Sequence, residues 1–370
     1  MIGALRTRVV AGGIEFLLSV LVALAALAVA LIFVVASGVS PGRAASAFID
    51  GVFGSQLNLA GTLTQMVPLT MVALGWIVVF RAGRFHVGFP GQIIFGGLFV
   101  SIVALKVSLP HVIHLPLAIL AGMVGGALYA AIAALLWAKR GVNEILSTLL
   151  LNLVAVQIIG WWVRKPFHDP TTPLPLTPYL HGTARWPSLI QNTQLHWDIF
   201  LIPVAMFAVW FILAKTTFGF GVRLVGANEH VARHAGLSPQ AVGSQAIILS
   251  GALAGLAGSS LVLAGSTPAM GEDFAGSFGF TGIAVALLAR NSPIGVLPAA
   301  LLFAALQQGG GVMEATVGIS SSLAGFIQGL MIILVLAATT ILFLVRQRRR
   351  AKRSGHAAAQ AAAFGAEGSP

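Results

Sequence analysis

The chain has 370 residues, 57% of them hydrophobic and only 8% charged, against roughly 25% charged in an ordinary soluble domain. A soluble protein so poor in charge could not clothe its surface, so the chain is solvated mostly by lipid. It has no cysteine, which excludes disulfides, thiolate metal sites and a cysteine nucleophile. Its formal charge of +11 lies in short groups between apolar runs, the habit of membrane loops and not of a nucleic-acid surface.

A helix needs about 20 apolar residues to cross a hydrocarbon core. Ten segments reach or approach that length: 14–36, 61–80, 89–105, 115–138, 144–163, 197–214, 241–265, 278–289, 294–308 and 322–345. The first follows Arg6 and Arg8, and its apolar run exceeds the roughly 7–15 residues of a signal-peptide core, which predicts an uncleaved span. The eighth and ninth are short. They read as half-helices or a re-entrant pair, tolerated only where protein or a water-filled path covers their free backbone groups.

Basic residues set the orientation. With the N-terminus in the cytoplasm and one crossing per segment, sixteen of the 21 Lys and Arg fall inside, leaving Arg43, Lys106, Arg164, Lys165 and Arg185 outside. The expected fold is all-α and polytopic, with about ten transmembrane helices and both ends cytoplasmic. Residues 1–13 form the N-terminus, 14–346 the transmembrane domain, and 347–370 a tail that is basic and then disordered. The run Arg346 to Arg353 suits anionic lipid. The outer loop 164–196 is rich in Pro, Trp and His, and Trp161, Trp162, Trp186 and Trp197 near its ends read as an interfacial aromatic belt. A docking surface for an external partner is the sharper reading of that loop. Gly122/Gly126 and Gly251/Gly255 stand at helical spacing and read as packing devices.

Absent motifs separate function classes. All ten acids lie at segment ends, in loops or in the tail (Glu15, Glu144 and Asp198 at the ends), which weakens ion coupling by a mid-membrane carboxylate. There is no phosphate loop, no metalloprotease helix motif and no nucleophile elbow. No catalytic residue and no metal site is expected; His111 and His114 are three apart in a short outer turn without evident partner ligands. Energy for uphill transport must come from a partner.

The longest inner loop, 215–240, reads KTTFGFGVRLVGANEHVARHAGLSPQ. Asn228 can cap a short helix there, Glu229 suits its positive end and Gly236 can stop it. The run Thr217, Phe218, Gly219, Arg223, Gly226, Ala227, Asn228, Ala232 and Gly236 resembles the coupling region of a family of permeases, the branched-chain amino acid, ribose and nucleoside group of ATP-binding-cassette (ABC) importers. GVNEILSTLLLNLVA, with Asn143, Glu144 and Asn152, resembles the nucleoside type in particular; SGALAGLAGS and FGFTGIAVALLARNSPIG agree. One stretch departs: Phe85–His86–Val87–Gly88–Phe89–Pro90–Gly91–Gln92 stands where the family pattern reads near F-N-I-G-A-E-G-Q. His86 reads either as a titrating group or as a solvated or lipid-facing histidine.

The resemblance implies a type II importer permease, performing no bond chemistry, for nucleosides or simple sugars in a bacterial inner membrane. It implies a separate ATPase subunit that binds the ATP, so no cofactor in this chain, and an extracytoplasmic solute-binding protein. A second permease completes the path, expected to be a different chain. Arg223, Gly226, Asn228, Glu229, Ala232, Arg233 and Gly236 are the coupling residues so implied. Gln92, Asn143, Asn152 and Thr281 are candidates to line the path, because amides and hydroxyls bind sugar hydroxyls without charge; each also reads as interhelical glue. The competing reading is an autonomous secondary transporter or channel.

Overall fold

The computed structural model describes residues 38–318 without a break, and beyond them only positions 32, 34, 35, 322, 325, 326, 329 and 330. Most of the expected first and last spans, 14–36 and 322–345, and all of both tails, therefore lie outside the described residues. Among the described residues the chain is almost wholly helical. In order come α1 (Pro41–Phe53), α2 (Gln56–Arg81), α3 (Phe89–Lys106), α4 (His111–Arg140), α5 (Glu144–Arg164), α6 (Leu201–Lys215), α7 (Thr217–Ala227), α8 (Glu229–His234), α9 (Pro239–Leu263), α10 (Phe278–Leu288) and α11 (Val296–Val317). A 3-10 turn, Trp197–Phe200, leads directly into α6.

Seven helices among the described residues are long and apolar enough to cross a membrane: α2, α3, α4, α5, the continuous Trp197–Lys215, α9 and α11. The count of ten is therefore an expectation for the whole chain, not an observation. α2 and α9 form the centre, 78% of their apolar windows being buried, whereas α5 and Trp197–Lys215 stand at the edge with 33% and 28%. The edge helices expose rows of large apolar side chains such as Leu146, Leu150, Leu153, Val204, Phe207 and Phe211, which suits lipid as solvent.

Glycine lets the central helices touch. A Cβ on Gly126 would strike the carbonyl of Gly251 and the backbone of Gly255, and one on Gly255 would strike the carbonyl of Gly122. The two small-residue pairs thus face each other across the contact of α4 with α9. Without a hydrophobic force between helices in lipid, such backbone approach supplies the dispersion that holds them.

The eighth expected segment is α10, 11 residues long, or about 16 Å at the helical rise, roughly half a span. An irregular stretch precedes it and enters the bundle: Met270 N–H donates to Thr177 Oγ1 (3.0 Å), and the Phe274 ring lies on Gly97 near the middle of α3. A broken span is tolerated here because protein covers it on these sides. The ninth segment proves longer than expected, running as α11 for 22 residues through Gly309 and Gly310. Those glycines end the hydrophobic signal but not the helix: Gly309 is seated against Phe48 and Val52 of α1. α1 itself was not expected from the sequence.

The loop 164–196 folds back over its end of the bundle. Thr177, Leu180 and Trp186 donate backbone N–H groups to the carbonyls of Met270 (3.1 Å), Pro268 (2.7 Å) and Leu263 (3.1 Å). Trp161 and Trp197 are exposed, as a belt requires, while Trp162 stacks on Phe167 at 4.5 Å.

Candidate functional site

Charged side chains gather at the two ends of the bundle. At one end Arg81 donates to the Asn291 carbonyl (3.3 Å), Arg84 pairs with Glu229, and the Arg84 guanidinium lies 4.4 Å over the Trp137 ring. At the other, Arg164 pairs with Glu272 at 2.6 Å, Arg185 donates to the Gly265 carbonyl at 2.7 Å, and Lys106 lies 5.2 Å over the Phe167 ring.

The expected helix in the loop 215–240 is α8. Asn228 caps it, its Oδ1 accepting from His230 N–H (2.9 Å) and Val231 N–H (3.2 Å). Gly236 ends it in the left-handed region at φ 80°, a conformation that glycine adopts without strain. The preceding α7 is fixed to the bundle by contacts that leave no room for side chains. A Cβ on Gly226 would strike the Arg81 carbonyl, and the backbone of Gly83 lies against Gly226. Arg223 donates to the Leu213 carbonyl. Arg233 lies 3.9 Å from Glu229.

Ala232 is fully buried. It therefore faces inward on α8. The outward face of α8 is His230, Val231, Arg233 and His234, with Val231 51% exposed.

Four candidate path residues separate by their hydrogen bonds. Asn143 caps α5 at an exposed position, its Oδ1 accepting from Ile145 and Leu146. Asn152 is buried and bonded at both ends: Oδ1 accepts from Gly91 N–H (3.0 Å) and Nδ2 donates to the Val87 carbonyl (2.8 Å). Among the described residues Asn143 thus engages only its Oδ1, whereas Asn152 has both amide ends bonded to backbone. Thr281 is buried on α10 with its hydroxyl 3.4 Å from Ser277 Oγ. Gln92 is buried with its Oε1 unpartnered.

Asn152 belongs to a ladder. Glu144, Thr148 and Asn152 share one face of α5 at four-residue spacing. Glu144 accepts from Phe85 N–H (3.1 Å), Thr148 from Val87 N–H (3.2 Å) and Asn152 from Gly91 N–H. The irregular backbone 85–88 and the first turn of α3 thereby find partners that they could not find in lipid.

His86 corrects its sequence reading more sharply. It is fully buried, 4.7 Å from the Phe89 ring. Gly88 N–H donates to Nδ1 (3.2 Å), so the ring proton sits on Nε2 and is donated to Ser250 Oγ (2.9 Å). The Ser250 hydroxyl passes its own proton to the Ile247 carbonyl (2.7 Å). The chain of donors runs one way and requires a neutral ring. Local sequence left His86 as a titrating group or as a solvated or lipid-facing histidine, and could not show that its stretch folds inward.

Asp198 is likewise fully buried, accepting from Ser260 Oγ of α9 at 2.5 Å. The neighbouring His196 imidazole is held below its ordinary value, chiefly by burial, with Arg185 also lowering it and the Gln194 carbonyl opposing. It is therefore neutral and supplies no counter-charge.

Sequence reasoning missed one further polar group. Gln65 of α2 donates through Nε2 to Gln308 Oε1 of α11 at 3.0 Å, and Gln307 has a buried Nε2 with no partner. The available signal was three uncharged amides inside the apolar segments 61–80 and 294–308.

The family described as branched-chain amino acid transport system / permease component matches residues 58–336. The chain belongs to this family. As a permease component it is one part of a transport system, which decides against an autonomous carrier. It is similar to the glucose ABC transporter permease protein TsgB13 of Haloferax volcanii, 36% identical over 85% of this chain and 86% of that protein. It is also similar to two guanosine ABC transporter permease proteins of Bacillus subtilis. NupP is 32% identical over 84% of this chain and 89% of its own length; NupQ is 28% identical over 65% and 78%.

Proposed function

We propose that this permease forms the translocation path of an ABC importer for nucleosides or simple sugars. The relatives named for guanosine and for glucose support both solute classes, and no charged group in the path is needed to bind either. In this reading the chain lies in a bacterial inner membrane with ten crossings and both ends cytoplasmic. The basic end that carries Arg81, Arg84, Lys139, Arg140 and α8 faces the cytoplasm, following the positive-inside rule.

The observation that carries the coupling role is the construction of α8. It is capped, fastened to the bundle through Glu229 and Arg84, and turns His230, Val231, Arg233 and His234 outward. A rigid projecting helix transmits movement, whereas a free loop would absorb it. The ATPase subunit that docks there binds the ATP. Arg223, Gly226, Asn228, Glu229, Ala232 and Gly236 then build and anchor the contact helix instead of forming its surface. On the opposite side the loop 164–196 receives solute from an extracytoplasmic binding protein. Two guanosine permease proteins of one Bacillus both resemble this chain, which supports pairing with a second, different permease.

Purification of the tagged chain from native membranes in mild detergent, with mass spectrometry of what accompanies it, tests the assembly. Recovery of a P-loop ATPase together with a second permease is expected. A stable, monodisperse chain recovered alone would overturn the reading.

A further inference from the structure

We infer that Gln65, Gln307 and Gln308 form a neutral amide site inside the bundle, below the loop 164–196, that takes the hydroxyl groups of an uncharged, polyhydroxylated solute. The inference rests on the proposed import of nucleosides or sugars and names where such a solute is held. Nothing in the amino-acid pattern of the coupling loop bears on it.

The depth comes first. Gln65 is the tenth residue of α2, and Gln307 and Gln308 are the twelfth and thirteenth of the 22 in α11. At about 1.5 Å per residue the amides lie some 14 Å and 17 Å from the starts of their helices, and Thr64, beside Gln65, donates its hydroxyl to the Gln194 carbonyl of the loop 164–196 (2.8 Å), so they stand inside the bundle below that loop. All three side chains are only partly buried. A partly exposed amide facing lipid costs roughly 2–7 kcal/mol of lost hydration, so three at one depth make poor lipid neighbours and suitable lining for a polar path.

Spare bonding capacity comes second. Several buried hydroxyls in the helices are consumed locally: Thr62 donates to the Asn58 carbonyl, Ser101 to Leu98 and Ser259 to Gly255. Each amide offers two donors and two acceptor lone pairs. Among the described residues the three share one side-chain bond, Gln65 to Gln308, and the buried Gln307 Nε2 has none. Pro68 adds an acceptor beside them: lacking an N–H, it releases the Thr64 carbonyl from the helical ladder of α2.

The seat comes third. A Cβ on Gly61 would come within 2.8 Å of the Cδ, Nε2 and Oε1 atoms of Gln308. The absent side chain is the notch that holds the Gln308 amide beside Gln65, one turn further along α2. Alternating donors and acceptors on a neutral surface match the vicinal hydroxyls of a sugar ring.

The test uses the complete importer in lipid vesicles, with the ATPase and binding protein present and radiolabelled guanosine and glucose as probes. Gln65→Leu and Gln308→Leu are each expected to raise the KM of ATP-driven uptake at least about tenfold, the scale of one lost hydrogen bond with its partner left dry. Gly61→Ala keeps all three amides but displaces Gln308. It is expected to raise KM by a smaller factor, and it serves if a leucine variant fails to assemble. Leu150→Ala, on the exposed face of α5, is the control and leaves KM unchanged. A KM within about twofold of the unaltered protein in both leucine variants, or in Gly61→Ala, reduces the amides to helix packing and overturns the inference while leaving the import reading intact. Failure of the unaltered complex to carry either probe overturns the import reading itself, and this site with it.

Discussion

At the scale of single residues, polarity inside this protein is decided by what each side chain meets, and residue type alone is a weak guide. Asn152 and Gln92 look alike in the sequence. One has both amide ends bound to the backbone of 87–91, and the other keeps an unpaired oxygen. His86 is the sharper case, since its two ring nitrogens complete a one-way chain from Gly88 to Ile247. Replacing it by leucine strands the Gly88 N–H and removes the ring donor from Ser250, so His86→Leu is expected to cost about 2–4 kcal/mol. A lowered melting temperature of the detergent-purified chain would show it. Ser250→Ala should cost less, about 1 kcal/mol. Equal melting temperatures for His86→Leu and the unaltered protein would mean that the ring makes no net contribution there.

At the scale of elements, α8 divides its residues between anchoring and display. Ala232 is buried against the bundle and Val231 is exposed beside it. A one-residue step along a helix turns the side chain by about 100°, so neighbours in sequence serve opposite surfaces. Val231→Glu is therefore expected to leave thermal stability within about 0.5 kcal/mol while sharply reducing recovery of the ATPase in the detergent purification. Ala232→Arg should instead lower stability, since it forces a charge into a packed contact. Full ATPase recovery with Val231→Glu would remove α8 from the interface. The six-residue helix was legible in advance because capping is local chemistry: Asn228 before it, Glu229 in its first turn, Gly236 after it. The half-length of α10 and the full length of α11 were legible only as two short apolar runs. What extends α11 through Gly309 is its contact with α1, a helix that the apolar pattern did not announce.

At the scale of the whole molecule, charge segregates to the two ends of an apolar bundle, and the proposed topology turns that into sidedness. The chain has no cysteine, so single introduced cysteines report accessibility without background. His234→Cys on α8 and Gly182→Cys in the loop 164–196 both stand at exposed positions. In intact cells a membrane-impermeant maleimide is expected to label Gly182→Cys and to spare His234→Cys until the membrane is opened. Labelling of both in intact cells would sink the topology.

The sequence by itself determined the class of solvent, most of the spans, the cap and stop of α8 and the pairs of glycines, because hydropathy and capping act over a few neighbouring residues. Tertiary structure alone decided which glycines meet, that 85–91 folds inward onto α5 and α9, and that Gln65 reaches Gln308. Residues 65 and 308 lie 243 positions apart, and no local periodicity encodes such a contact. It exists because helices without a hydrophobic force between them are sorted by close backbone approach and by the need to pair each buried polar group.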